Sequence, residues 1–316
     1  MYQLRAYVVL QPGNARRELM RHGVLIVFIL FYLLGIQVNA SELEQNRIPK
    51  DSRFLLHVDV QKAIQSQNGK AFERLWINPL LEGYGGNISP SVEWNSSVIG
   101  GITFFGKGVY TNFQDQVFIF KPLSTNWLIK LRKELKITQP SGQSVRFSKG
   151  EYKVVLTPKV IYVSRNAQRL NDALKGSGGE VPPLLKGAKV SKDSYLDIVM
   201  DEQFREMIDL PFADSLTKDV KKLCFSVSEP KQCLVDMNFI LKATADPKNF
   251  AKQTSRTLKW LGFTDPSWAE ILKSARVDFS EQCVMVQGQI EPVGNEVSPA
   301  YYSLIEILFG VKDTEH

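Results

Sequence analysis

From residue 54 to residue 309 the chain sets short apolar runs between stretches of helical period. Phe54-Leu55-Leu56-His57-Val58-Asp59 is mostly apolar and reads as a buried strand. Residues 60–76 predict a helix weakened around Asn68-Gly69, and residues 78–97, rich in Gly, Pro, Asn and Ser, predict a long loop. Residues 98–105 and 116–121 predict the strands of a hairpin. Ser124 then caps a helix to about residue 136, with Trp127, Leu128, Leu131 and Leu135 on one face. Strands follow at 144–148, 152–157 and 160–164, the last two hinged at Pro158, and then a helix at 166–174.

The pattern then starts again. Residues 195–200 predict a strand and 202–208 a helix. Residues 220–228 and 233–243 predict a hairpin around Glu229-Pro230. Asp246-Pro247 opens a helix to about residue 261, with a capping side chain followed by a Pro. Asp265-Pro266 repeats that signal for a short helix carrying Trp268, Ile271 and Leu272. Residues 275–280 and 282–291 predict a second hairpin, and 298–309 a closing helix.

Two echoes tie these stretches together. Lys50-Asp51-Ser52 leads into a strand that ends at Asp59, and Lys192-Asp193-Ser194 leads into one that ends at Asp201, with an offset of 142 at both landmarks. Val145-Arg146-Phe147-Ser148 and Val277-Asp278-Phe279-Ser280 each precede another strand, at an offset of 132. The order strand, helix, hairpin, helix, hairpin, helix predicts an α+β protein of two tandem related halves. Each half is mostly antiparallel sheet with helices packed on one face. The halves run over 41–175 and 190–316, and the Gly- and Pro-rich stretch 176–189 links them.

The first forty residues follow another logic. Residues 24–36 (VLIVFILFYLLGI) form an uncharged apolar run, short of the roughly 20 residues a spanning helix needs. Arg16, Arg17 and Arg21 precede it, and Val38-Asn39-Ala40 follows. This layout predicts a secretory signal over residues 1–40, cleaved between Ala40 and Ser41, with Met20 as a more natural start. The protein is then periplasmic or extracellular; an uncleaved membrane anchor at 24–36 is the alternative. Hydrophobic content of 44% and charge of 23% exclude a disordered chain and a polytopic membrane protein. The net charge of +6 shrinks on cleavage, because residues 1–40 take four arginines and one glutamate with them. The basic runs at 130–133 and 218–222 are interrupted and read as solvated faces, so no nucleic-acid partner is expected.

Little in the chain carries chemistry. Gly101 to Lys107 matches the start of a phosphate-binding loop, but Gly108 stands where Ser or Thr must hold magnesium, and a strand ending in a turn explains the run. Ser215-Leu216-Thr217-Lys218 and Ser228-Glu229-Pro230-Lys231 have Ser-x-x-Lys spacing without the partner motifs. After cleavage only His57 and His316 remain, so metal sites and His-dependent nucleophiles lack material, and no cofactor or metal is expected. Asp59 and Asp201 read as helix caps, and Asp193, Asp197 and Asp201 share one strand face without forming a site. Cys224 and Cys233 fall nearly opposite each other if the hairpin turns at Ser228-Glu229, which predicts a disulfide that leaves Cys283 reduced; three buried thiols are the alternative. Asn87-Ile88-Ser89 and Asn95-Ser96-Ser97 are sequons that matter only in a eukaryotic source.

The Pro49-Lys50-Asp51-Ser52 opening, the strand ending in Val58-Asp59, and Tyr162-Val163-Ser164 leading to Ala173-Leu174 resemble a broad group of exported bacterial proteins known as domains of unknown function. In that group a Pro-x-Asp, apolar strand, Asp opening recurs in each half; here Ser191 replaces the second Pro. The resemblance implies an envelope location and a repeated α+β architecture, and it brings no catalytic residues. The expected function is an exported, non-enzymatic binding or envelope-scaffold protein. Its partner is then an envelope protein or an apolar ligand. A carrier for a lipid or other apolar ligand is the alternative, with Trp94, Phe104, Phe105, Phe118 and Phe120 lining its groove unless they pack the core. A carboxylate-dependent hydrolase is the third reading.

Overall fold

Strands of this composition have to pair, and here they pair into one sheet. The computed structural model describes residues 45–107, 115–140, 142–188, 193–202, 218–229, 232–264, 269, 272–290 and 297–309. Among these, eleven antiparallel strands run β1 (Phe54–Asp59), β2 (Ile99–Gly106), β3 (Gln116–Pro122), β4 (Val145–Lys149), β5 (Tyr152–Leu156), β6 (Ile161–Ser164), β7 (Ser194–Asp201), β8 (Val220–Ser228), β9 (Cys233–Leu241), β10 (Arg276–Ser280) and β11 (Cys283–Ile290). Their spatial order is β10-β11-β9-β8-β7-β1-β2-β3-β6-β5-β4. The expected strands are all here, most with ends shifted by a residue or two. The expected signal segment and the helix after Glu202 fall outside the described residues; of the short helix expected from Asp265, residues 269 and 272–274 are described and helical.

The two stretches of sequence therefore share one continuous sheet within a single compact unit, residues 41–316. The junction lies at its centre, where β1 pairs with β7: Phe54 faces Met200, Leu56 faces Ile198 and Val58 faces Leu196. The outer strands differ on the two sides. β11 pairs directly with β9, whereas β5 reaches β3 only through β6.

The central strands are buried on both faces, so their side chains alternate between two apolar layers rather than between core and water. Leu56, Val58, Phe104, Phe118 and Ile198 enter the larger layer. Helices α1 (Val60–Gln65), α2 (Gln67–Phe72), α3 (Asn78–Ile88), α4 (Thr125–Glu134), α6 (Pro247–Thr264) and α7 (Pro299–Phe309) pack into that layer. Leu55, Phe105, Tyr162 and Val199 enter the smaller layer. There they meet Leu170 and Ala173 of α5 (Ala167–Lys175), and Leu184 and Leu185. Helices were expected on one face only. α5 departs from that because its apolar stripe follows β6 across Asn166, whose side chain caps it by accepting from the Gln168 and Arg169 amides, and meets the second face.

The region after β1 is more helical than its composition suggests. Ser66, with extended φ −102° and ψ 155°, breaks the first helix. Its hydroxyl donates to the Ala63 carbonyl and accepts the Gly69 amide, which restarts the chain as α2. A Cβ at Gly69 would stand 2.1 Å from the Ala63 carbonyl oxygen, so this turn requires glycine. A π-helical turn, Glu73–Ile77, then leads straight into α3. Residues 78–88 were expected to be loop. They are helix because Leu81, Gly85 and Ile88 are buried, and packing overrides a Gly- and Asn-rich composition.

Candidate functional site

The residues singled out in the sequence are scattered by the fold. Trp94, Phe104, Phe118 and Phe120 are buried in the larger layer, as one aromatic stack with Tyr84 and Trp127. Phe105 points the opposite way, into the smaller layer. These five therefore pack the two cores and line no common groove.

The cysteine pair is also separated. β8 and β9 pair with Ser228 opposite Leu234, so Cys224 lies opposite Asn238, not Cys233. Cys224 belongs to the smaller layer and Cys233 to the larger, so the sheet itself stands between the two sulfurs and no bond joins them. Burial, assisted by the nearby Glu229 charge, pushes the Cys233 thiol up.

His57 and Asp197 face each other across β1 and β7. Nδ1 of His57 lies 2.7 Å from the Thr103 hydroxyl, and the Ser194 hydroxyl donates to Asp197 at 2.5 Å. All four are buried. Asp59 accepts the Lys62 amide at 3.1 Å and so caps α1 as expected. Asp197 and Asp201 lie four residues apart on β7, and Asp193 just precedes it. Residues 101–106, the start of the phosphate-loop pattern, are strand β2. Among the described residues no group of three or more His, Cys, Asp or Glu is placed to hold a metal.

The charged residues do converge. Antiparallel order brings five strand ends to one side of the sheet: the ends of β9, β7 and β2 and the starts of β8 and β1. Strand interiors here are apolar, so the charges fall at these ends, where they surround a cleft of about 570 Å³. Arg53 and the Lys50-Asp51-Ser52 turn enter from β1, and Lys107 from β2. Asp201 and Glu202 come from β7, Lys221 and Lys222 from β8, and Lys242 from β9. Pro183 and Leu184 close one wall.

Six cations and three carboxylates thus line the cleft among the described residues. Each carboxylate faces a cation: Asp201 lies 3.9 Å from Arg53, Glu202 3.5 Å from Lys242, and Asp51 3.5 Å from Lys107. Asp51 also takes both oxygens to Arg169, at 2.8 and 2.9 Å. Burial works to raise the Asp51 carboxyl, but Arg169 and Lys107 outweigh it and hold it below its ordinary value. Lys222 donates to the Pro183 and Lys186 carbonyls at 3.0 and 2.8 Å, which ties the 183–186 wall to β8. Burial, with the neighbouring Lys221 adding to it, lowers the Lys222 ammonium despite the opposing pull of Cys224 and Asp201.

This convergence is not visible along the chain. Lys221 and Lys222 belong to a run that reads as a solvated face, and Lys107 to a failed phosphate loop. Only the strand order joins them. Comparison with protein-family models, with curated proteins and with solved structures gives no match.

Proposed function

We propose that this is an exported, non-enzymatic binding protein whose ligand is an anion held in the basic cleft. One observation carries the reading: a cleft of about 570 Å³ in which cations outnumber carboxylates two to one, at the junction of five adjacent strands. A recessed excess of one sign focuses the field and attracts the opposite charge. Calorimetric titration with pyrophosphate at low ionic strength tests the reading. Binding should weaken steeply with salt and fall by about tenfold in the double variant Lys107→Gln, Lys221→Gln. Absence of binding by pyrophosphate and by longer bisphosphates alike, or binding indifferent to both lysines, would remove it.

Export rests on residues 16–41, and N-terminal mass analysis of the protein from its own cells decides it. A chain beginning at Ser41 supports the reading, and one retaining residues 24–36 replaces it with a membrane-anchored protein. The reading also takes the two halves as related, like the exported group that the opening motif resembles. The central register favours this. The offset of 142 maps Phe54 onto Leu196 and Val58 onto Met200, and Phe54 pairs with Met200 while Val58 pairs with Leu196. That is the pairing a two-fold axis between β1 and β7 requires. An experimental structure in which β1 and β2 fail to superpose on β7 and β8 would overturn the relation.

A further inference from the structure

We infer that the cleft is built for a ligand with two anionic groups about 10 Å or more apart, joined by a hydroxyl-bearing spacer: a doubly phosphorylated or otherwise doubly anionic glycan. The inference rests on the cleft being an anion site, as proposed above.

The argument comes from the order of charges across the strands. β7 is the middle of the five and contributes only carboxylates, Asp201 and Glu202. The cations stand on either side. Arg53 and Lys107 stand at the ends of β1 and β2, and the turn before β1 adds Lys50, paired with Glu180 at 2.7 Å, and the carboxylate Asp51, paired with Lys107 at 3.5 Å. Lys221, Lys222 and Lys242 lie on β8 and β9. Adjacent strands are about 4.8 Å apart, so the inner cations of the two groups are separated by roughly 10 Å and the outer ones by roughly 19 Å. A single small anion placed centrally meets the β7 carboxylates and is repelled. An anion in one group alone leaves the other group unused. Two anionic ends, one in each group, satisfy both.

The middle of such a ligand lies over Asp201 and Glu202. Asp201 faces Arg53 and Glu202 faces Lys242, and a carboxylate accepts from several donors at once, so a ligand hydroxyl adds to the partners each already has. Hydroxyl groups donate to such oxygens without adding charge. The cations are mostly lysines, which bind phosphate as point charges and tolerate varied orientation.

The test is a calorimetric series on the mature protein. The probes are methyl phosphate, the α,ω-bisphosphates of straight-chain diols from ethane-1,2-diol to dodecane-1,12-diol, and a disaccharide with a phosphate on each ring. Affinity should rise to an optimum at a spacer spanning about 10–19 Å, there about a hundredfold tighter than methyl phosphate. The disaccharide should exceed the diol of equal span. Lys50→Gln with Lys107→Gln, and separately Lys221→Gln with Lys242→Gln, should each return the best bisphosphate to the level of methyl phosphate. Far-ultraviolet circular dichroism confirms that both variants fold, since all four side chains are surface charges. A series with no optimum, while every phosphate still binds, overturns the two-group arrangement and leaves the anion cleft standing. Equal affinity for disaccharide and diol overturns the hydroxyl role of Asp201 and Glu202. No binding by any probe overturns the anion reading itself.

Discussion

Arg169 shows what a single side chain does in this molecule. It projects from α5, its side chain only 7% exposed, and its charge is met by the half-exposed Asp51 in the turn before β1. Asp51→Asn removes that charge and leaves a buried guanidinium poorly partnered, at a cost of about 1–3 kcal/mol, kept modest because Asp51 itself is solvated. The pH dependence follows from the direction of the shift. A carboxylate held below its ordinary value adds stability above the unfolded value near pH 3.8 and loses it as pH falls through the lower, folded value. Denaturant midpoints of wild type and Asp51→Asn should therefore differ at pH 7 and converge toward pH 2. A constant gap would mean that the pair is not the source.

The thiols belong to the same scale. Cys224 and Cys233 are buried on opposite faces of the sheet, and burial keeps the Cys233 thiol protonated. Cys283 is only partly covered. Native protein should therefore react with a thiol reagent at Cys283 first, while Cys224 and Cys233 react on the unfolding timescale. Mass mapping of the label checks this, and early label on Cys233 would contradict the packing.

At the scale of elements, the strands were the most legible part of the sequence. Short β-branched and aromatic runs bounded by turn residues put most strand ends within one or two residues of their observed places. Besides α5 on the second face of the sheet, two expectations differ from the structure. Helix α3 reads as loop because Pro79, Gly83, Gly85 and Gly86 are loop residues by propensity. Its helical form depends on the ring of Trp94 lying against Gly85, where a Cβ would stand 2.4 Å from Cγ. Gly85→Ala raises local helix propensity yet should destabilise the protein by about 1–3 kcal/mol, because the ring has to move. A thermal melt that rises instead would show that α3 is limited by propensity. The second is the β8–β9 register, which moves Cys233 away from Cys224. A hairpin turning at Ser228-Glu229 would end its ladder before Ser228, whereas Ser228 still pairs with Leu234. The cleft lay beyond reach for a different reason. Its charges come from segments between residues 50 and 242, and nothing local says that β9, β8, β7, β1 and β2 are neighbours.

For the molecule as a whole, the pairing of β1 with β7 matters most. A boundary placed at 176–189 by composition does not divide the sheet, because the strands on either side of it are partners at its centre. Unfolding should accordingly be one transition, with the same midpoint by tryptophan fluorescence and far-ultraviolet circular dichroism. Two separated midpoints would show that the halves hold together independently. The sheet ends in β10 and β4, both short and both carrying charge, Arg276 and Asp278 on one and Arg146 and Lys149 on the other. Such edges discourage further strand addition.

The chain between β6 and β7 has to travel from the fourth strand on one side back to the middle, a distance of roughly 19 Å over four strand spacings. It does so as a strap rather than a tether. The Ser177 amide is bonded to the Asn46 carbonyl, Leu184 and Leu185 are sunk in the smaller core, and Lys222 grips the carbonyls of residues 183 and 186. Residues 178–181 form an unbroken exposed run. A protease that cuts there severs the covalent link without touching the β1–β7 ladder. The two fragments should co-elute as one particle in native gel filtration and separate only in denaturant, so the nicked molecule is a non-covalent heterodimer whose interface is the centre of its own sheet.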